Sequence, residues 1–476
     1  MYRHRLGEGF LSTLKAEQIH RTALDILDKV GLEVSSPWAL EQMAAQGFRV
    51  VGGRVFFEPH VVEEHLAERR QSHQGVTPPE PPMEAADDGQ LHLTAGVYAH
   101  HVHNLETDGI EPYTTDKLIE MTKLVDVLTE RGVHSPAPGY PLDVPGPLQP
   151  LAKYLVGATY SRHGEYPVDP ISAASVPYVM EMAQVLGHPL CSLPVYVFSP
   201  LRLAGESLDV VLRFRDRLQE VHVSAMPSLG GTAPVLPFGA LALTVAEVLG
   251  GFVTLRVVTG LPVDFGLSLF ALDLRSSSMV FGSPEAYLLG QLNAEICDFY
   301  TPWQHHERGQ AAAAIHVRAN FPGAQAAAEK AGLMTAGALI GARWFDGAGI
   351  LAVDEVFSAE QLLVDCEIKD QVQRLVQGLD LQDGGYDWVE EVRQGVQETF
   401  MALESTVDHY RHVYWHPRLF ERSFLQFDAA ESERMKLAQR ARALASEYIS
   451  RHEYALDATR RGALERIWQR ATRELA

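Results

Sequence analysis

A chain of 476 residues is too long for one small core and fits a single large barrel with appendages, or two to three ordinary domains. With 46% hydrophobic and 21% charged residues the composition is globular, and a formal charge of −21 with no basic stripe argues against nucleic acid as a partner. Three scattered cysteines exclude a disulfide framework. The N-terminus "MYRHRLGEGF" has no secretory apolar region, and the longest apolar run, Leu241–Val258, is interrupted by Thr244, Glu247 and Arg256. The expected location is cytoplasmic, with no membrane partner.

In chain order, the first element is an amphipathic helix carrying Ile19, Ala23, Ile26, Leu27 and Val30 on one face, with Gly31 as a left-handed cap. "FRVVGGRVFF" predicts a hairpin turning at Gly52-Gly53. The Pro- and acid-rich stretch 74–90 is expected to be a linker or surface excursion. Residues 1–75 are therefore separated as an N-terminal α/β cap and 76–112 as a lead-in.

A helix capped by Thr114-Thr115 follows, with Leu118, Met121, Val125 and Leu128 on one face. The strand candidates are "GVHSPAP", "YPVDPIS", "LPVYVFS", "VHVSAMP", "LPVDFGLS", "TPWQHH" and "ARWFD", alternating with helices such as "GSPEAYLLGQLNAEI", capped by Ser283 with Pro284 and Glu285 in its first turn. Seven such units between 133 and 380 predict an α/β fold of the (β/α)8 TIM-barrel type over 113–425, with a helical C-terminal tail over 426–476. The eighth strand is sought in 380–425 or in "GVYAHHVHN"; a doubly wound open sheet is the alternative. No GxGxxG follows a strand and no GxxxxGK[ST] occurs, which weakens any nucleotide reading.

In a parallel barrel the chemistry sits on loops after the carboxyl ends of the strands. Those loops supply the aromatic candidates Tyr140, Phe198, Phe270 and Trp303, and the stretch "TPWQHHERGQ" with Gln304, His305, His306, Glu307 and Arg308. Its histidines, with Arg308, are candidates to hold a substrate carboxylate. Alternatively, His305 and Glu307 with His101 or His103 bind zinc, or the stretch is a polar loop without chemistry. No metal ligand is assigned, and zinc is the less favoured reading. Gly230 and Gly231 in "MPSLGGTAP" either present amides to an anion or make a tight turn. Asp354-Glu355 is a candidate counter-charge for a cationic substrate, and "DHYRHVYWHP" is expected to dock the tail onto the barrel.

The segments "EQIHRTALDILDKVGLEVSSPWALEQMAAQGFRV", "HNLETDGIEPYTTDKLIEMTKLVDVL", "SAMPSLGGTAPVLPFGALALTVAEVLGG", "FGSPEAYLLGQLNAEI", "FPGAQAAAEKAGLMTAGALIGA" and "STVDHYRHVYWHPRLFER" follow one another along the chain. Together they resemble the trimethylamine methyltransferase family of corrinoid-dependent amine methyltransferases. The resemblance implies a TIM barrel that passes a methyl group from a methylated amine to the cob(I)alamin of a separate corrinoid protein. Without a non-standard residue the chain resembles the branch lacking pyrrolysine, some of whose members act on quaternary amines such as glycine betaine. It departs from the family where "TPWQHHERGQ" replaces a Gly-rich run and "RANFPGAQ" replaces a loop with an aspartate, which directs attention to a changed substrate. Two alternatives stand beside this reading: a metal-dependent barrel enzyme using His305 and His306, and a non-catalytic amine- or corrinoid-binding relative. A homo-oligomer is compatible with all three.

Overall fold

The computed structural model describes residues 9–72, 89–96, 98–170, 172–301, 313–382, 384–422 and 437–475. The first helix spans Thr13–Lys29, capped by the Ser12 hydroxyl, which accepts from the Lys15 amide. It buries Ile19, Ala23 and Leu27 as its periodicity requires. Gly31 adopts φ +74°, and a Cβ there would lie 2.6 Å from the Val55 carbonyl, so only glycine fits. The hairpin Arg49–Val51/Arg54–Phe56 turns at Gly52 and Gly53, both at positive φ.

Beyond the hairpin, parallel strands alternate with helices, giving a mixed α/β fold. The strands Ser192–Phe198, Glu220–Ala225 and Val263–Leu267 pair in parallel in that order. A second parallel group joins Ala313–Ala314 to Trp344–Ala348 and Trp344–Ala348 to His92–Ala95. The latter strand also bridges Val133, through Leu93 N–H to Gly132 O and His134 N–H to Leu93 O. Among the described residues no ladder joins the two groups. The N-terminal segment continues the first group: Leu32–Val34 pairs with Arg202–Leu203, which folds back on Ser192–Phe198.

Each parallel group has one apolar face against helices. Leu193, Val195, Val197, Val221, Val223, Phe265 and Leu267 share a core with the helices Thr13–Lys29 and Pro237–Thr259. Leu93, Ala95, Phe345 and Ala348 share another with Thr115–Val127 and Ala359–Gln377. Alternation therefore puts Tyr196, Phe198, His222, Ser224 and Asp264 on the opposite face of the first group. It puts His92, Thr94, His134, Trp344 and Asp346 on the opposite face of the second.

Several expectations are corrected. The additional strand is His92–Ala95, from the stretch expected to be a lead-in; 380–425 instead holds the helices Trp388–Gln397 and Glu404–Val413, and His101–His103 pairs in a separate sheet with Val356–Phe357. Residues 166–170 of "YPVDPIS" form no strand. Thr301 of "TPWQHH" ends a helix, and the rest of that strand candidate lies outside the described residues; Ala313–Ala314 pairs with Trp344–Ala348. "DHYRHVYWHP" buries no residue of its helix; the tail docks instead through Leu437–Ser450 and Ala458–Leu475. Pro237–Thr259 is long and apolar enough to cross a bilayer, but it is a core helix with Glu247 fully buried.

Candidate active site

The chemistry collects on the polar faces of the two parallel groups. Tyr140 follows the 133–135 segment and is buried, its amide donating to Ala99 O. Tyr98 lies nearly parallel to it, with ring centroids 6.4 Å apart, and His100 stacks at 5.9 Å. Tyr98 donates from its hydroxyl to Asp169 at 3.3 Å. Tyr196 comes from the other parallel group, on the solvent-open face of its strand. All three phenols are pushed above the ordinary tyrosine range, first by burial and then by the Asp169 charge, and Tyr98 and Tyr140 also sense Tyr196. Tyr98 thus bonds Asp169 directly, and the charge of that carboxylate also reaches Tyr140 and Tyr196.

Lys153, on the helix Gln149–Tyr160, completes this cluster. Its Nζ sits 4.1 Å from the Tyr140 ring centroid and 5.8 Å from that of Tyr98, and the residue is 1% exposed. Desolvation lowers its pKa to about 7, with Asp169 opposing. The amine is therefore poised between charged and neutral forms near neutrality. Stacked aromatic rings beside one exposed carboxylate and one adjustable cation are suited to an organic cation that also bears an anionic group.

A second polar centre lies at the end of the other strands. His316, just beyond Ala313–Ala314, pairs through Nδ1 with Asp354 and approaches Asp346 through Nε2 at 3.5 Å. Burial works against its charge, but the hydrogen bonds and charges of Asp346 and Asp354 prevail and raise its pKa to about 9. Asp354, expected as a counter-charge for substrate, is thus engaged by a side chain of this chain. Near the amino ends of the same strands, His92, His134 and Trp344 pack together, with His92 Nδ1 and His134 Nε2 3.1 Å apart.

Of the residues singled out from the sequence, Tyr140 belongs to the tyrosine cluster. Phe198 is 54% exposed at the carboxyl end of its strand, beside Gly205. Phe270 pairs into a short strand with Ser228 and packs on Phe281 at 5.5 Å. Trp303, Gln304, His305, His306, Glu307 and Arg308 lie outside the described residues. The amides of Gly230 and Gly231 are used inside their own turn, donating to Ala233 O and Ser228 O, and Gly230 has φ +76°. Among the described residues one group has metal-ligand geometry, His103 with Asp108 and Glu360. The Arg442 guanidinium already bridges its two carboxylates, at 2.6 and 3.0 Å, so its charge is neutralised from within.

Sequence reasoning missed Tyr98, Lys153, Asp169 and Tyr196. The alternation in "LPVYVF" was the available signal for Tyr196: with Leu193, Val195 and Val197 facing the core, it must face the other way. Lys153 had none, since a lysine in helical text reads as solvated.

The fold is mixed α/β, and the cluster groups aromatic faces, a buried lysine and a carboxylate. The family model for trimethylamine methyltransferase (MTTB) matches residues 9–476, and the chain belongs to that family. It is 25% identical over 449 residues to the glycine betaine methyltransferase of Desulfitobacterium hafniense (strain Y51), covering 90% of each chain. It is 32% identical over 220 residues to the trimethylamine methyltransferase MttB2 of Methanosarcina mazei, over 46% of this chain and 43% of that protein. The match thus spans less than half the length of that relative. The Methanosarcina barkeri monomethylamine methyltransferase (MtmB) structure aligns over 93% of this chain and 90% of its own, at 11% identity and TM-score 0.42.

Proposed function

We propose that the protein transfers a methyl group from a methylated amine, in particular a quaternary amine of the betaine type, to the cob(I)alamin of a corrinoid protein. The observation that carries this reading is the convergence of Tyr98, Tyr140 and Tyr196 around Asp169, with Lys153 buried beside them. Aromatic faces attract an ammonium by roughly 0.5–2 kcal/mol each, more as water is excluded. Family membership and the likeness to a glycine betaine methyltransferase over most of both chains support the same reaction class.

The chemistry asks little of the protein beyond binding. When a quaternary ammonium loses a methyl group, the C–N electron pair stays on nitrogen and a neutral tertiary amine leaves, so no proton is needed. The tyrosines desolvate and orient the cation, and positioning supplies much of the rate. In this reading Lys153, in its charged form, meets the substrate carboxylate, and Asp169 balances the cationic end. A corrinoid supplies the low-valent cobalt that accepts the methyl group. Phe198 and Met226, 54% and 53% exposed at the carboxyl ends of neighbouring strands, give an apolar rim suited to a flat macrocycle.

We further infer that both parallel groups belong to one (β/α)8 barrel. It would run through 92–95, 133–135, 192–198, 220–225, 263–267, 313–314 and 344–348, with the unpaired segment 166–170 in the place of the remaining strand and 1–75 and 426–476 as appendages. Three features support it: consecutive strands pair in each group, Trp344–Ala348 returns to His92–Ala95, and Tyr140 senses the charge of Tyr196 across the groups. His305, His306, Glu307, Trp303, Gln304 and Arg308 remain proposed determinants of substrate choice.

The test is methylation of cob(I)alamin with a panel of tertiary amines, betaines and choline-like cations. Turnover is expected with a betaine and the matching demethylated amine as product. An absence of turnover across the panel refutes the proposal.

A further inference from the structure

Lys330, on the helix Ala324–Leu339, and Asp365, on Ala359–Gln377, form an ion pair at 3.0 Å with both side chains fully buried. Such a pair is a poor source of net stability, because desolvating two charges offsets most of their attraction. Two of its further hydrogen bonds reach one turn. Lys330 Nζ donates to Gly347 O at 2.8 Å, and the Gly349 amide donates to Asp365 Oδ2 at 2.7 Å. Gln361 Nε2 donates to the other Asp365 oxygen at 2.8 Å, fixing the carboxylate. The pair therefore grips both ends of the turn Gly347–Gly349, immediately after Asp346.

That turn follows an uncommon path. Gly347 and Gly349 have φ +94° and +75°, and a Cβ on Gly347 would lie 2.5 Å from His316 Cδ2. The imidazole thus packs on the bare glycine backbone while Asp346 reaches its Nε2. We propose that Lys330 and Asp365 are positioning residues for His316, holding this turn in the path that brings the Asp346 carboxylate to the imidazole. The charges surrounding His316 are Asp346 on its neighbouring strand, Asp354 on the following loop, Glu329 and Lys330 on one flanking helix, Asp365 on the other, and Arg318 on its own segment. Among the described residues Asp346 and Asp354 are the charged groups in reach of the ring nitrogens, so moving Asp346 changes the proton affinity of His316 directly. The inference is independent of which amine is the substrate.

Titration of the His316 imidazole by NMR in the full-length protein, assigned with His316→Gln, tests it. The double variant Lys330→Met/Asp365→Leu removes both buried charges together and is expected to fold. Its His316 midpoint should fall from near 9 by about one pH unit or more. A folded double variant with an unchanged midpoint makes the pair merely structural and overturns the proposal. Gly347→Ala leaves the pair intact but sets a Cβ against the ring, and should give the same fall. An unchanged midpoint there overturns the proposal even if the double variant does not fold.

Discussion

Lys153 is the residue whose chemistry separates the ligand classes open to the tyrosine cluster. Its pKa near 7 means that it is mostly charged at pH 6 and mostly neutral at pH 8.5. Charged, it attracts a carboxylate and repels a simple ammonium. Glycine betaine is therefore expected to bind less tightly as pH rises through 7, while tetramethylammonium binds more tightly. Calorimetric titration of both ligands checks this, and Lys153→Met should flatten both profiles; parallel profiles in the wild type would refute the assignment. Glu247 makes a second residue-scale prediction. Its carboxylate accepts from Ser199 Oγ and the Leu201 amide at 2.8 Å each, yet burial still raises its pKa to about 7. The folded state then holds a proton that the unfolded chain releases near 4.5, so stability falls as pH rises from about 4.5 to 7. Glu247→Gln should remove that component of the slope in urea unfolding measured across this window. If the variant keeps the full wild-type slope, Glu247 is not its source.

At the scale of elements, local chemistry was readable wherever a short-range rule operated. Ser283 caps its helix, Thr114 caps another, and the Gly52-Gly53 hairpin forms as spelled. What local rules do not encode is which strands pair. His92–Ala95 escaped notice because it has four residues, two of them the polar His92 and Thr94 that face away from the core. Conversely, "DHYRHVYWHP" has the aromatic content of a docking segment but lies on an exposed helix. Gly31 and Gly47 isolate the cost of packing from that of conformation, since both have positive φ but only Gly31 faces an obstacle. Gly47→Ala should cost about 1 kcal/mol for the left-handed conformation alone. Gly31→Ala should cost at least about twice as much, because its Cβ meets the Val55 carbonyl. Equal losses in chemical denaturation would show that the close approach is relieved by movement.

Across the whole molecule, the α/β alternation and family membership were legible from the sequence, while the composition of the site was not. The cluster draws Tyr98, Tyr140, Lys153, Asp169 and Tyr196 from five separate regions of the chain, and each alone reads as an ordinary core or surface residue. Tyr140 and the Tyr196 whose charge it senses belong to different parallel groups, a relation no local rule encodes. The acidic surface, with 61 carboxylates against 40 basic side chains, is compatible with a cationic substrate but does not select one. The central claim is that these tyrosines hold a methylated ammonium group. It is tested most directly by the Kd of glycine betaine for the wild type and for Tyr196→Ala, measured by calorimetry at pH 6. Loss of one cation–π face predicts a weakening of about twofold to thirtyfold with the fold intact. An unchanged Kd in a folded Tyr196→Ala variant, or no binding to the wild type, would contradict it.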